Sequence, residues 1–165
     1  MKRDQYISWD EYFMGVAILA SKRSKDPNTQ VGACIVDATR RILSTGYNGF
    51  PYGCSDDEYP WTRENENICE TKYPYVVHAE LNAILNAHGT SLKNATIYVD
   101  LFPCNECAKA IIQCGIAEVV YLSDKYGEQD LYVASRKMLR SAGVKLRQMK
   151  TSTPKLVLDF SKGIE

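Results

Sequence analysis

Two short stretches hold the residues best suited to chemistry: His78-Ala79-Glu80 and Pro103-Cys104-Asn105-Glu106-Cys107. Cys104 and Cys107 stand three apart, and two helical residues at that spacing share a face, so both sulfurs can point at one ion. A helix N-terminus favours thiolate over thiol, because its unpaired N–H groups carry partial positive charge, and thiolate is the form that binds zinc. His78 can add a neutral nitrogen. Three protein ligands leave one tetrahedral position of Zn²⁺ open, which marks a catalytic rather than a structural site. Cys34, Cys54 and Cys69 are the remaining candidates for a fourth ligand. Glu80 follows His78 by two positions, about half a helical turn, so it does not face the same ion head-on. It can lie beside the open position, take a proton from an activated water and deliver it to a substrate nitrogen.

Both motifs need a helix start to aim them. The sequence predicts a short helix after His78, with Leu81, Ile84, Leu85 and His88 on one face. It predicts another after Pro103, with Ala108, Ile111 and Ile112 inward. Thr96–Leu101 and Val119–Leu122 read as buried strands. Asp130–Ala142 is a helix closed by Gly143, a usual residue after a helix end. Val144–Arg147 is a further strand, and Leu156–Phe160 a short edge strand or an ordered tail. Upstream, Ser8-Trp9-Asp10-Glu11 fits a capping box that opens a first helix. Its stripe of Trp9, Tyr12, Phe13, Val16, Ala17 and Ala20 predicts a core-facing side, and Asp26-Pro27 ends the helical region. Val31–Val36 and Ile42–Tyr47 suggest a hairpin. Asn48–Gly53 is a turn, and residues 54–77 form a long loop without a period, a common location for function. Helices alternating with short buried strands imply an α/β layered domain with crossover connections.

Composition narrows the partners. The chain has 165 residues and 18.6 kDa, so one domain over 1–165 is expected, with a core large enough to need no disulfides. Twenty basic and twenty acidic residues cancel, which argues against clamping a nucleic-acid backbone by bulk charge. No run reaches the length of a membrane span, and the start of the chain lacks the apolar centre of a secretory signal. The expected location is therefore intracellular, in the cytoplasm. There the six cysteines need a role other than disulfide bonding.

With His-x-Glu followed by Pro-Cys-x-x-Cys, the chain carries the signature of the zinc deaminases and resembles the cytidine deaminase superfamily. Further segments resemble its deoxycytidylate (dCMP) deaminase branch, the animal enzymes most of all. They are Tyr12-Phe13-Met14 and residues 21–28, 31–36, 46–57, 71–84, 101–109 and 122–126, with Gly46-Tyr47-Asn48-Gly49-Phe50-Pro51 and Thr71-Lys72-Tyr73-Pro74-Tyr75 pointing to that branch. The resemblance implies a three-layer α-β-α fold, with a five-stranded mixed sheet flanked by helices on both faces. It implies zinc-dependent hydrolysis of dCMP to dUMP and ammonia, feeding thymidylate synthesis, by a homohexamer that dCTP with Mg²⁺ activates and dTTP inhibits. His78, Cys104 and Cys107 then hold the catalytic zinc, while Glu80 protonates N3 and the departing amine. The resemblance also places the Ala79 N–H near the pyrimidine O2 and Asn48 near the sugar hydroxyl. Asn48 also suits a turn in its own right.

Arg23, Ser24, Lys25 and Tyr126 lie in matching segments and could hold the monophosphate; each basic residue reads equally as a solvated surface charge. Effector contacts are expected around Gly49, Phe50, Pro51 and Gly53, although the two glycines also serve the turn. Asp56 and Asp57 could approach Mg²⁺ through water, but read more simply as solvated loop residues. The loop has Cys54 and Cys69 but no histidine before His78, which argues against a second zinc and for free thiols.

Other readings fit less well. A tRNA adenosine deaminase usually has Pro-Cys-x-Met-Cys, unlike Pro103–Cys107. A polynucleotide deaminase wants a basic groove beside its stacking aromatics. A structural zinc module needs a fourth ligand and leaves Glu80 without a purpose. A thioredoxin-like dithiol leaves both His78 and Glu80 unexplained.

Overall fold

The computed structural model describes residues 1–161. Its elements run α1 (Trp9–Ser21), β1 (Gly32–Val36), β2 (Ile42–Tyr47), a 3₁₀ turn (Ile68–Glu70), α2 (Ala79–Asn86), β3 (Thr96–Leu101), α3 (Asn105–Gln113), β4 (Glu118–Ser123), α4 (Asp130–Ser141) and β5 (Lys145–Gln148). They form a 5-stranded sheet in the order β2-β1-β3-β4-β5. β1 runs antiparallel to both β2 and β3, and β3, β4 and β5 are parallel. This is the mixed α/β sheet with helices on both faces that the sequence implied.

Alternation along the central strands sorts the layers, because successive strand side chains point to opposite faces. Ala33, Ile35, Ile97, Val99 and Val119 pack with residues of α2, α3 and α4. Cys34, Val36, Tyr98 and Val120 pack with Phe13, Met14 and Ala17 of α1. Two glycines let the helices press in. A Cβ on Gly32 would lie 1.8 Å from Ala17 O, and one on Gly46 would lie 2.3 Å from Ala83 N.

That close approach corrects two expectations. On α2 the buried face is Ala79 and Ala83, continued by Ala87 at its end, whereas Leu85 is 60% exposed. Beside Gly46 there is room only for alanine. Three contacts hold the helix there: Ser44 Oγ donates to Ala83 O, Asn82 Nδ2 to Tyr47 O and Asn86 Nδ2 to Thr45 O. On α1 the expected capping box of Ser8 and Glu11 forms, and Phe13, Met14, Ala17 and Ser21 are buried. Trp9 and Tyr12 instead stay 50% and 43% exposed, with Trp9 stacked on Phe13. Leu156–Phe160 forms no strand and is exposed.

Polar contacts tie the ends of the chain to the sheet. Arg147 on β5 donates to Asp10 Oδ2 at 2.5 Å and to Glu118 Oε1 at 2.9 Å, while Tyr98 Oη donates to Asp10 Oδ1 at 2.7 Å. On β3, Asp100 Oδ1 accepts from Gly32 N–H at 3.2 Å, and burial pushes its carboxyl up to about 6.

Candidate metal and active site

The site lies where two helices begin. His78 is the cap residue of α2 and Cys104 the cap residue of α3, both with extended backbone, and neither side chain caps its own helix. Their side chains are therefore free for a ligand. Cys107 is buried in the first turn of α3. His78 Nδ1 lies 3.3 Å from Cys104 Sγ and 3.5 Å from Cys107 Sγ. A tetrahedral ion with ligand bonds of 2.0–2.3 Å separates its donors by about 3.5 Å, so a zinc ion fits this set.

Among the described residues, His78, Cys104 and Cys107 form the group able to hold a metal, with ligand atoms within 4.8 Å of one another. Cys34 is not a fourth member, since it packs on the α1 face of the sheet. Cys54 and Cys69 carry free thiols outside the group. Hydrogen bonding from Cys107, against the effect of burial and with help from His78, holds the Cys104 thiol down to about 4. Cys104 is thus the readier thiolate of the two, while the same hydrogen bond and burial push the Cys107 thiol up.

Glu80 stands in the first turn of α2 and is 4% exposed. Burial pushes its carboxyl up to about 7, against the charge of His78. A carboxyl near neutrality beside an open metal position can both accept and return a proton. Ala79 is fully buried at the start of the same helix.

Asn48 is buried on the loop after β2, and its backbone carbonyl accepts from Ser24 Oγ at 2.9 Å. That bond commits the Ser24 proton to the loop. Lys25 pairs with Asp56 at 2.5 Å, which ties the segment after α1 to the long loop. Arg23 is exposed and has no ion-pair partner among the described residues. Gly49 pairs with Val77 as an isolated bridge, so the turn is joined to the strand-like lead into His78. Phe50 lies 4.0 Å from the Trp61 ring and 5.5 Å from Tyr59. Pro51 O accepts from Cys54 N–H, and Gly53 has φ 86, where only glycine sits without strain.

Several neighbours carried no sequence signal. Arg63, from the aperiodic loop, donates from Nε to Tyr73 Oη at 3.2 Å. Burial opposes it, but hydrogen bonds and charge from Lys125 and Arg63 lower the Tyr126 phenol. Lys125 Nζ sits 4.9 Å over the Tyr126 ring, and Tyr126 lies 5.5 Å from Tyr132. Burial raises the Tyr132 phenol, and the charges of Cys104 and Glu80 add to the shift. Arg136 pairs with Asp124, fixing the turn that carries Lys125 and Tyr126. A short local motif is readable in sequence; the approach of Arg63 to Tyr126 from a distant loop is not.

Residues 7–123 match the family model described as the cytidine and deoxycytidylate deaminase zinc-binding region. The chain is 57% identical to deoxycytidylate deaminase of Homo sapiens over 159 residues, covering 96% of this chain and 89% of that protein. It is 55% identical to the Mus musculus deoxycytidylate deaminase with the same coverage. Among solved structures it is similar to the dCMP deaminase of cyanophage S-TIM5 in complex with dCMP and dUMP. That match has a TM-score of 0.69 and 28% identity, and covers 90% of this chain and 99% of the other.

Proposed function

The chain belongs to the cytidine and deoxycytidylate deaminase family, and from that premise we propose that it hydrolyses dCMP to dUMP and ammonia. One observation carries the reading: the His78 ring nitrogen meets both thiols within 3.5 Å, next to a buried Glu80. His78, Cys104 and Cys107 would hold zinc. When bound, zinc supplies Lewis acidity that makes water a nucleophile near neutral pH.

The protein's own groups then handle the protons. Glu80 takes one proton from the attacking water and passes it to N3 as the water oxygen adds at C4. It then takes the remaining proton of that oxygen and delivers it to the exocyclic nitrogen as the C4–N4 bond breaks, so cytosine and water become uracil, which keeps the N3 proton, and ammonia. The Ala79 N–H, at the start of α2, would hold the pyrimidine O2, and Asn48 would meet the sugar hydroxyl. Arg23, Lys25 and Tyr126 are proposed for the phosphate, with Ser24 in the same segment, where its hydroxyl would have to leave Asn48 O to donate to the phosphate. Arg63 and Lys125, both close to Tyr126, add positive charge suited to a monophosphate.

We propose further that dCTP with Mg²⁺ activates the enzyme and dTTP inhibits it, through a site including Gly49, Phe50, Pro51 and Gly53. The stack of Phe50 on Trp61 offers an aromatic surface there. A cytoplasmic homohexamer supplying dUMP for thymidylate synthesis completes the proposal. No helix among the described residues is long and apolar enough to cross a membrane.

The test follows ultraviolet absorbance of zinc-replete protein given dCMP, with deoxycytidine in parallel, each with and without dCTP plus Mg²⁺. Loss of the cytosine band from dCMP alone, faster with dCTP, is expected. Turnover indifferent to dCTP removes the effector proposal and keeps the deaminase. No turnover of dCMP by zinc-loaded protein rejects the substrate assignment. Sedimentation velocity reads the assembly.

A further inference from the structure

Helix α4 grips two loops with two consecutive residues. Ser135 is fully buried, and its Oγ donates to Pro103 O at 2.8 Å, one residue before the cap residue Cys104. Arg136 comes next. Its guanidinium sits 4.7 Å over the ring of Phe102, which is buried and precedes Pro103. The N–H groups of the same guanidinium serve the turn after β4: Nη1 donates to Gly127 O at 3.2 Å and Nη2 to Asp124 Oδ2. One rigid planar group thus spans from the metal loop to the turn that carries Lys125 and Tyr126.

The bonding pattern is not that of a plain ion pair. An arginine that only neutralised a carboxylate would take both oxygens through its fork. Here Nη1 goes to the Gly127 backbone instead, and Asp124 Oδ1 is buried with no hydrogen-bond partner among the described residues. A buried acceptor left unpaired costs free energy. The arrangement therefore favours grip on the turn over the strongest pair. Gly127 is part of it, because a Cβ there would stand 2.7 Å from Asp124 Oδ1.

Other contacts leave the turn without a tie to the metal loop. Gly127 N–H donates to Asp124 O and Gln129 N–H to Tyr126 O, both of them local. Phe102 N–H donates to Ser123 O at 2.8 Å, which holds the end of β4 and stops one residue short of the turn. The Tyr126 ring meets Tyr132 at 5.5 Å, a contact between rings that tolerates sliding. Arg63 reaches Tyr126 from the long aperiodic loop.

We propose that Arg136 is a positioning residue: by holding the turn at a fixed separation from the metal loop, it makes the site selective for a cytosine nucleotide with a 5′-phosphate over the bare nucleoside. The proposal rests on the reading of the chain as a nucleotide deaminase with Lys125 and Tyr126 at the phosphate. The reacting C4 and the phosphate lie at opposite ends of the substrate. Both ends are held well only when the two loops stand at the matching distance. Arg136 acts through Tyr126 and Lys125 and does not itself touch the substrate.

The experiment measures competitive inhibition of dCMP turnover by dUMP and by 2′-deoxyuridine, which differ only in the phosphate. It compares the wild type with Arg136→Lys. Lysine keeps a charge for Asp124 but loses the fork and the planar face. The wild type should bind dUMP tighter than deoxyuridine by about a hundredfold or more, the worth of two hydrogen bonds to a charged group. In Arg136→Lys that ratio should shrink by about tenfold, through dUMP alone, with zinc content unchanged. Equal weakening of both inhibitors would show a purely structural contact and overturn the proposal, and so would an unchanged ratio. Gly127→Ala leaves Arg136 in place and displaces the Asp124 carboxylate. It should shrink the ratio in the same way, and it serves if Arg136→Lys fails to fold.

Backbone hydrogen exchange supplies a measure that needs no turnover. In Arg136→Lys the N–H groups of Gly127 and Gln129 should exchange about tenfold faster, while those of Ile97 and Val99 in β3 keep the wild-type rate. Unchanged exchange at the turn overturns the proposal. Wild-type protein that fails to turn over dCMP rejects the deaminase reading, while exchange at the turn still decides whether Arg136 positions it.

Discussion

Gly46 and Ala83 meet backbone to backbone: a Cβ on Gly46 would stand 2.3 Å from Ala83 N, and 2.4 Å from Ala79 O on the same helix. Strand β2 and helix α2 are thus separated by main chain alone. Because α2 begins directly after His78, any retreat of the helix also moves His78 and Glu80. Gly46→Ala should therefore destabilise the fold by about 1–3 kcal/mol through overpacking. Gly49→Ala is the control, since nothing lies within 4 Å of its would-be Cβ. Urea unfolding of the two variants should show a loss for the first and a change within about 0.5 kcal/mol for the second.

Glu80→Gln keeps the shape of the side chain and removes its proton chemistry. Zinc content, read by atomic emission, should stay at the wild-type level. Turnover of dCMP should fall by about 10²–10⁴-fold, the usual worth of a positioned acid-base group. Retention of most activity would remove Glu80 from the mechanism.

The metal group can be tested without turnover. A ligand that binds only the folded state raises the melting temperature. Zinc added to chelator-treated wild type should raise its melting temperature, whereas Cys104→Ser should respond weakly and retain little zinc after dialysis. An equal response in both proteins would place the metal elsewhere.

Asp100 gives a pH prediction away from the metal. Its folded carboxyl is raised to about 6 by burial, above the ordinary value of about 3.9. The neutral form suits the fold. Its contribution is fully present below about pH 3.9 and is lost as pH rises through about 6. Asp100→Asn keeps an acceptor for Gly32 N–H and stays neutral at every pH. Relative to wild type it should gain about 1–3 kcal/mol at pH 7.5 and nearly nothing at pH 4. Denaturant unfolding at both values measures the difference, and an equal difference at both would show that Asp100 is not the titrating group.

The strands were legible because β-branched runs bounded by turns leave little choice of structure. Thr96–Leu101 falls where its residues predict. The metal group was legible for a different reason: His78, Cys104 and Cys107 occur as two short local motifs, each at a helix start. The buried face of α2 was not legible. Leucine and isoleucine outweigh alanine in any periodic reading, and the clearance at Gly46 that reverses the choice is a contact across the chain. Asp26 and Lys72, a buried ion pair, were missed likewise. They are 46 positions apart, and charged residues read as surface until a partner is seen. Arg63 lies in a loop with no period, so nothing in its neighbours announces that it meets Tyr73 and the turn at Tyr126.

The bond between Asp10 and Arg147 spans 137 positions. A ribosome adding about 5–20 residues per second makes Arg147 roughly 7–27 seconds after Asp10. Helix α1 therefore waits for that interval with its acid unmatched by this guanidinium. His78, Cys104 and Cys107 are all synthesised before β5, which must later dock along β4 and bring Arg147 to Asp10. The nascent chain thus has its metal-ligating residues in hand before it has β5, the edge strand of the sheet.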